Sequence, residues 1–595
     1  MQIPLINANP NGAAATAVFS GLNRTDKGTN GEYIDMVNMA SCHYPCLSPR
    51  EPREQVCTMR DIRAVIAPKY EADTEKITAF TGVAKNTFYY NGNAIEFEAE
   101  DMAIPSDTDI HLADFNGKII ICAYDTKNDN SVMYYYDYTA TGAEKDEDGN
   151  IKTDSGGNTL RYVKRMEKGI YGISCRAVSI GNPDTDSRVT NYIQYVSSVS
   201  GVSPAKFKWS DYFSVGDAIF LEGFENDVNN TVNMDSRYEM TDNSRALSCV
   251  IDKIDGNKLY FQMYNYAAAR LVMKSETASD VNVFTKIPVM NHICIHNNRL
   301  WGTNPNGEYV YASKLGDCFN FNSFQGLTND SYYSEIGTAG DFIGIVSYRD
   351  NLVAFKRDYI HHIYGDKPSN FTIPKQLADC GCIDIRSAVE IGAVLYFLGY
   401  NGFYEYTGGQ PTIISTALNC SYKSAVGMSD GNRYIASAVR RDNGETELLV
   451  YDTRYGIWHK EDNLAAVGSF RRHNDLYIAA SDEVIRCGYG DEKVKWQCDS
   501  VISYENIFDN KGINEIWIRA KLDEGASITV YTSVNGGEWI EHEILTEKGL
   551  KVYRIPVRFI NGEYYQYRLA GTGGAVIYDV ERVISSGGKP YKKGW

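Results

Sequence analysis

The sequence predicts an all-β protein: an irregular β-propeller of about seven blades, with an inserted β-barrel and a C-terminal β-sandwich. Three observations carry this. Aromatic residues make up 12% of the 595 residues, 44 of them Tyr, while turn-marking Gly contributes 51 and Pro 16. Aromatic side chains suit a pleated, half-buried surface, and no apolar run at period 3.6 persists long enough for a long helix. Strand pairs joined by Gly or Asn turns then recur at a fixed spacing. Finally, that spacing breaks in two places, between about 141 and 290 and again after 500.

The repeats begin with "KITAFTGVAKNTFYYNGNAIEFE", turning at Asn91-Gly92, and "FNGKIIICAYDTKNDNSVMYYYDY". They resume at "HNNRLWGTNPNGEYVYASKLGD", with a turn at Asn306-Gly307, and continue through turns near Arg357-Asp358, Asn401-Gly402 and Asn443-Gly444 to "RHNDLYIAASDEVIRCGYGD". Asn-Gly is the strongest short hairpin signal. The inner strands centre near Trp301, Val353, Tyr396, Tyr434 and Tyr477, at separations of 52, 43, 38 and 43 residues. Four short strands per period of about 40–50 residues is the propeller-blade pattern. The expected domain map is an extended N-terminal arm over 1–60, first blades over 61–140, an inserted barrel over 141–290, remaining blades over 291–500 and a sandwich over 501–595.

Within the insertion, "FSVGDAIFLEGF" and "SCVIDKIDGNKLYFQMYN" supply barrel strands around Gly216-Asp217 and Asp255-Gly256. Loops on one rim of a rigid scaffold tolerate such insertions. The strands "INEIWIRAKL", "ASITVYTSVNGGEWIEHEI", "KVYRIPVRF" and "YYQYRLAG" form the sandwich. In the arm, Pro45, Pro49 and Pro52 keep "YPCLSPREPREQ" extended, as in a lacing segment.

The formal charge is −17, from 76 acidic and 59 basic residues. A general nucleic-acid binder needs a basic stripe to displace counterions, so that class is disfavoured. No stretch approaches the roughly 18 apolar residues of a membrane span, and "MQIPLINANPNGAAATA" lacks the basic and apolar regions of a signal peptide. The 13 cysteines are scattered and odd in number, as in a reducing cytosol.

Candidate chemistry is sparse. Cys42, His43, Cys46 and Cys57 form one uneven cluster without the paired knuckles of a structural zinc site. "DEDGN" at 146–150 starts like a calcium loop, but its twelfth position is Gly157 where a Glu is required. His361 and His362 are strand neighbours, pointing to opposite faces, one expected buried and one exposed. Cys380 and Cys382 share a face if extended. "SVNGGEW" (533–539) is one residue short of the sialidase-type turn and lies outside the propeller. No G-x-S-x-G elbow, Walker A loop or H-E-x-x-H is present. The expected catalytic, cofactor-binding and metal residues are therefore none, no cofactor is expected, and the chain is expected not to be an enzyme. Gly316-Asp317, inside "VYASKLGDCFNF" (310–321), has no base or nucleophile at a recognisable spacing and is expected to turn a blade corner.

Those residues carry a resemblance. "NNRLWGTNPNGEYVYASKLGDCFNFNSF", "LVAFKRDYIHHIYGDKPSNF", "LYFLGYNGFYEY" and "VYDTRYGIWHKED" resemble the β-propeller tail nozzle, tail tubular or packaged-DNA stabilisation proteins of tailed bacteriophages, best over 297–321 and on to about 462. "GEYIDMVNMASCHYPCLSPREPR" is similar to the N-terminal arm of such proteins. The resemblance implies a structural virion protein, assembled in the host cytoplasm and placed in the tail. It implies a homo-oligomeric ring, a hexamer in the family's usual form, that meets an adaptor and other tail proteins or fibres. Such a ring extends the DNA exit channel and passes DNA without specific binding. The alternatives are a tail-tip host-recognition or carbohydrate-binding protein, motivated by the tyrosines and the sandwich, and a propeller glycosidase.

Overall fold

The computed structural model describes residues 11–16, 19–69, 79–146, 149–181, 190–198, 201–232, 243–374, 380–504, 510–557 and 562–586. Strands dominate these residues, joined by turns and short 3-10 segments, and no helix among them is long and apolar enough to cross a membrane. The chain falls into two compact units: Met1–Ile62, Thr74–Phe80 and Arg386–Trp595 in one, Arg63–Asp73 and Thr81–Ile385 in the other.

The protein is an all-β, irregular β-propeller with seven blade sheets among the described residues, a barrel and a sandwich. Blades 1 to 4 start at Ile62–Val65, Asp109–Phe115, His292–His296 and Phe342–Tyr348; blades 5 to 7 start at Val389–Ile391, Tyr422–Ser429 and Ala466–Arg472. Six of these sheets have four described strands and blade 4 has three. Trp301, Val353, Tyr396, Tyr434 and Tyr477 all fall on the second strand of their blades. That strand is paired on both edges and covered on both faces, which is why its sequence is the most apolar and the easiest to see. Asn91 and Gly92 both have positive φ, 50° and 77°, the conformation a two-residue hairpin turn requires.

The inserted sheet runs Thr190–Ser198, Gly169–Ile180, Glu276–Phe284, Ala218–Glu222, Ser248–Asp255, Lys258–Tyr264, and a further pairing of Lys258–Tyr264 with Thr190–Ser198 closes it into a barrel. Its core includes Trp209, Phe213, Leu221, Phe261 and Val283. The insertion begins later than its sequence suggests. Lys164–Arg165 is the last strand of blade 2, with Arg165 paired to Tyr134, and just before it Val163 donates its N–H to the Glu96 carbonyl at 2.9 Å, beside blade 1. The polar composition of 141–160 reflects two exposed hairpins of blade 2, not a domain boundary. Of "DEDGN", Glu147 and Asp148 lie outside the described residues; Asp146 accepts the Asn150 N–H at 2.8 Å.

The first 60 residues are structural throughout, apart from those outside the description. Strand Asn11–Thr16 pairs with Ala575–Ser586, Glu32–Val37 with Lys495–Ser500, and Arg53–Thr58 completes blade 7 beside Glu483–Cys487. The sandwich is thus built from both ends of the chain and begins at Lys495, earlier than 501. Gly21 shows how close the arm lies to blade 6. Its φ is +95°, and a Cβ there would stand 2.6 Å from the Trp458 carbonyl oxygen.

"VYASKLGDCFNF" turns out to be a socket for the barrel. Arg299, fully buried, donates to the carbonyls of Ser313 (2.7 Å), Asp330 (2.5 Å) and Thr328 (3.2 Å), and so holds the loop that follows. On that loop Asn320 Oδ1 accepts the Ala218 N–H at 2.7 Å. Asn322 donates to the Lys286 carbonyl at 2.8 Å and accepts from Ser248 Oγ at 2.5 Å. Leu247 of the barrel shares a buried cluster with Phe321, Leu300 and Met166. The barrel's two ends meet at a neck, where Lys168 and Thr285 exchange backbone and hydroxyl bonds of 2.8 Å.

Because the neck ends touch, replacing residues 168–286 with a short Gly/Ser linker should leave a folded chain, since loop-closure entropy grows slowly with length. Its melt should stay cooperative at a lower Tm, because Phe321 and its neighbours lose the cover of Leu247. Insoluble protein or a non-cooperative melt would show that the barrel is part of the folding core.

Candidate functional site

Three arginines of the arm reach acids of the 386–595 segment. Arg24 makes a bidentate pair with Glu447, at 3.0 and 2.7 Å. Arg50 grips Glu492 at 3.0 and 3.1 Å and donates from Nε to Asn38 at 2.8 Å. Arg53 bonds Glu461 and Asp462, each at 2.6 Å. Two of these arginines flank Pro52 in "PREPRE", where the extended backbone that proline imposes keeps both side chains free to reach outward. The planar guanidinium suits such two-pronged contacts.

Around Arg50 and Arg53 opens a cavity of about 770 Å³, walled by the arm, blade 6 and blade 7. Arg50, Arg53, Arg433, Asp430, Glu461 and Asp475 give it a mixed-charge lining. Arg433 is held by Asp430 at 2.6 Å. Burial would raise the Glu461 carboxyl, but Arg53, Arg433 and His459 outweigh it and hold the group below its ordinary range. Glu447 is likewise held down by Arg24 against its burial. Cys42 is exposed on the cavity wall, where partial desolvation and then the carboxylates of Glu51, Glu461 and Asp430 push its thiol up to about 11. It is therefore a poor nucleophile near neutral pH.

Beside the cavity, Ser41, Asp452 and His459 form a constellation that invites comparison with a hydrolase triad. The wiring is different. Ser41 Oγ donates to Asp452 Oδ2 at 2.5 Å, lies 3.5 Å from His459 Nε2, and His459 Nδ1 faces the Met39 carbonyl at 2.9 Å. In a triad the histidine stands between the other two. All three are buried, and burial pushes the His459 imidazole down to about 4. The node pins arm residues 39–41 on blade 6.

A second concavity, of about 700 Å³, belongs to the other unit. It lies between the barrel and blade 3, and its walls include Tyr266, Tyr309, Phe324, Tyr333 and Glu335.

The residues singled out from the sequence disperse in the fold. Cys42 lines the cavity, while Cys57 lies on the outer strand of blade 7 opposite Val484. Among the described residues no cluster of three or more His, Cys, Asp or Glu is placed to hold a metal. The expectation for the histidine pair is corrected: both are buried, because every residue of Ile360–Ile363 is covered. His361 bonds Thr338 Oγ1 at 2.8 Å and His362 stacks on Tyr364. Cys382 Sγ donates to the Asp384 carbonyl at 3.1 Å. "SVNGGEW" forms a hairpin tip of the sandwich, where Arg568 lies over the Trp539 ring at 4.2 Å. Sequence reasoning missed the arginine pairs; the one available signal was the spacing of Arg50 and Arg53 around Pro52.

No family model and no curated protein matches this chain. Solved structures similar to it include one reported as the extracellular domain of the one component system BT4673 from B. thetaiotaomicron, at 14% identity and TM-score 0.22 over 66% of this chain and 48% of that one. This chain thus spans about half the length of that structure. An arabinoxylan arabinofuranohydrolase of glycoside hydrolase family 43 from Bacillus subtilis matches at 9% identity and TM-score 0.15, over 81% of this chain and 96% of that one. An exo-β-1,3-galactanase from Phanerochaete chrysosporium matches at 9% identity and TM-score 0.11, over 82% and 97%. Two of these are glycoside hydrolases, so the expectation that the chain is not an enzyme is withdrawn. At such TM-scores none of them carries an argument about what this chain does.

The cavity's charge pairs can be tested by mutation and by pH. Arg53→Ala removes the hydrogen-bonded partner of the buried Glu461 carboxylate and leaves Arg433 alone beside it, which should cost up to about 3–5 kcal/mol, with much of it recovered when Glu461→Ala is added. Additive losses in a denaturant double-mutant cycle would mean the pair is not coupled. For pH, an unfolded histidine titrates near 6.5, whereas folded His459 and His361 titrate near 4. Between those values the unfolded chain binds protons the native chain refuses, so stability falls as pH drops from 6.5 to 4. Below about 4.5 the depressed Glu461 and Glu447 add to the loss. His459→Gln should flatten the upper window by up to about 1.4 kcal/mol per pH unit. A wild-type stability profile level from pH 7 to 4.5 would contradict this assignment.

Proposed function

We propose that the chain is a structural subunit of a bacteriophage tail, one copy of a closed homo-oligomeric ring that extends the DNA exit channel below an adaptor protein. The observation that carries this reading is the location of two of the segments that resemble tail proteins. Residues 31–53 hold Arg50, Arg53 and the arm strand Glu32–Val37, and residues 297–324 hold the Arg299-braced socket. The resembling residues thus do scaffold work, as a tail component requires. The buried arginines of the arm are matched by acids, and the chain carries a net charge of −17, which suits a surface that DNA must pass without sticking. A closed ring needs heterologous, head-to-tail contacts between copies. The alternative of host recognition through carbohydrate has one feature in its favour, the tyrosine-lined concavity beside blade 3.

The test is assembly. Purified chain mixed with the adaptor of its phage should give rings with one central opening by electron microscopy. It should show no double-stranded DNA retention at physiological salt. Micromolar DNA binding that weakens steeply with salt, or an isologous dimer as the sole assembly in particles, would sink the proposal.

A further inference from the structure

The cavity between the arm and blades 6 and 7 holds more hydrogen-bond donors than its own acids use. Its volume of about 770 Å³ falls in the range of small-molecule sites, roughly 300–1,000 Å³. Arg50 and Arg53 are committed to Glu492, Glu461 and Asp462. Two further arginines of the lining are not fully committed.

Arg433 opens Arg433–Arg440, the second strand of blade 6. Its Nε donates to Asp430 Oδ2 at 2.6 Å, while Nη1 and Nη2 meet no acceptor among the described residues. The side chain is only 21% exposed. Burial works against its charge, but Asp430 and Glu461 outweigh burial and keep the guanidinium protonated. Four N–H groups of a mostly buried cation are thus left to the cavity.

Arg471, on the first strand of blade 7, has no ion-pair or hydrogen-bond partner among the described residues. It does not trail into water. Its guanidinium lies on Gly431, in the turn that precedes Arg433: a Cβ at that glycine would stand 3.2 Å from Nη1 and 3.3 Å from Nη2. Gly431 also has φ +107°, which disfavours any other residue. The turn therefore seats one guanidinium and presents a second two residues later. Two cations and a single carboxylate, Asp430, meet there, and an anion bound between the cations would relieve their repulsion.

The other acids do not fill this role. Asp430 Oδ1 also accepts the N–H groups of Asn432 and Arg433, at 3.0 and 2.8 Å. Asp475 accepts from Arg486 Nε and from the Tyr489 hydroxyl, each at 3.0 Å. Glu461 is held by Arg53. Glu51 has no donor among the described residues, but its Oε2 lies against Gly488, just past the third strand of blade 7. That is about 10 Å across the sheet from the strand of Arg471. The cavity is polarised, with spare donors at the Gly431 end and a spare acceptor at the other. An apolar ligand would leave the donors unsatisfied, and a cation would be repelled by them. A carboxylate or a phosphate offers two oxygens to each guanidinium fork.

We propose that this cavity binds a small oxyanion, a carboxylate or phosphate on a polar body, with Arg433 and Arg471 clamping the anionic group. The site does not rest on the tail assignment, and its failure would leave ring assembly untouched.

The test titrates the full-length chain at physiological salt with inorganic phosphate, acetate, glucuronate and glucose 6-phosphate, with glucose as the uncharged control. Calorimetry reads binding and a thermal melt reads Tm. The expected result is saturable binding of at least one anion, a higher Tm in its presence, and no response to glucose. A response to the two phosphates alone assigns the ligand to phosphate chemistry, and one to acetate and glucuronate alone to carboxylate chemistry. Arg471→Ala should weaken the affinity roughly tenfold or more, with the ligand-free Tm unchanged or raised. Arg471→Lys keeps the charge but not the fork, so it should recover only part of the loss. Arg433→Lys should weaken the same ligand. Lys423→Ala, at an exposed position of blade 6 outside the cavity lining, should not. Absence of any anion binding overturns the proposal. So does an affinity that falls as much in Lys423→Ala as in Arg471→Ala, which would mark unspecific attraction. A lower ligand-free Tm in Arg471→Ala, with no anion response in the wild type, would show that Arg471 serves the fold instead.

Discussion

The unit that contains both chain ends depends on charge pairing between its first 60 residues and the acids of blades 6 and 7. Arg24, Arg50 and Arg53 are each mostly buried, at side-chain exposures of 12%, 8% and 9%. A buried guanidinium without a partner is costly, so the arm can lie where it does only if Glu447, Glu492, Glu461 and Asp462 are in place to receive it. The same arm supplies strands to both sheets of the sandwich and the last strand of blade 7. The ion pairs and the strand pairings therefore fix one another. Ser41, Asp452 and His459 add a neutral-histidine node to the same seam, which makes the seam sensitive to acid.

The other unit is organised by one arginine in a different way. Arg299 bonds three backbone carbonyls, and Asp330 on the same loop accepts the N–H groups of Gln325 and Leu327 at 2.6 and 2.8 Å. The loop thereby becomes a rigid surface, with Asn320 and Asn322 satisfying backbone groups of the barrel. Buried backbone groups need partners, and here two asparagines supply them at a junction that strand pairing does not reach. The aromatic groove sits at the rim of this junction, so its geometry inherits the junction's rigidity.

Much of the architecture was legible in the sequence because its signals are local. Asn91-Gly92 and Asn443-Gly444 mark turns through backbone conformation alone, and the spacing of Trp301 through Tyr477 follows from strand length plus turn length. The barrel's start was misplaced because an exposed hairpin of blade 2 has the same polar composition as a linker. His361 and His362 were split between faces by strand alternation, but packing on both sides of Ile360–Ile363 buries them together. The candidate sites were the least legible part. Arg24 meets an acid 423 residues away and Arg53 one 408 residues away, and no local pattern encodes such separations. Tyr266 and Tyr333 come together only because the barrel docks on the loop after Gly316-Asp317.

If the arm's arginines hold the arm, blade 7 and the sandwich as one cooperative structure, all three should loosen together when those arginines are removed. Hydrogen–deuterium exchange of the full-length protein, compared with Arg50→Ala/Arg53→Ala, reads this strand by strand. Protection should fall together in Arg53–Thr58, in Asp475–Ala480 of blade 7 and in the sandwich strand Lys495–Ser500. Loss of protection in Arg53–Thr58 alone, with blade 7 and the sandwich unchanged, would contradict a shared structure.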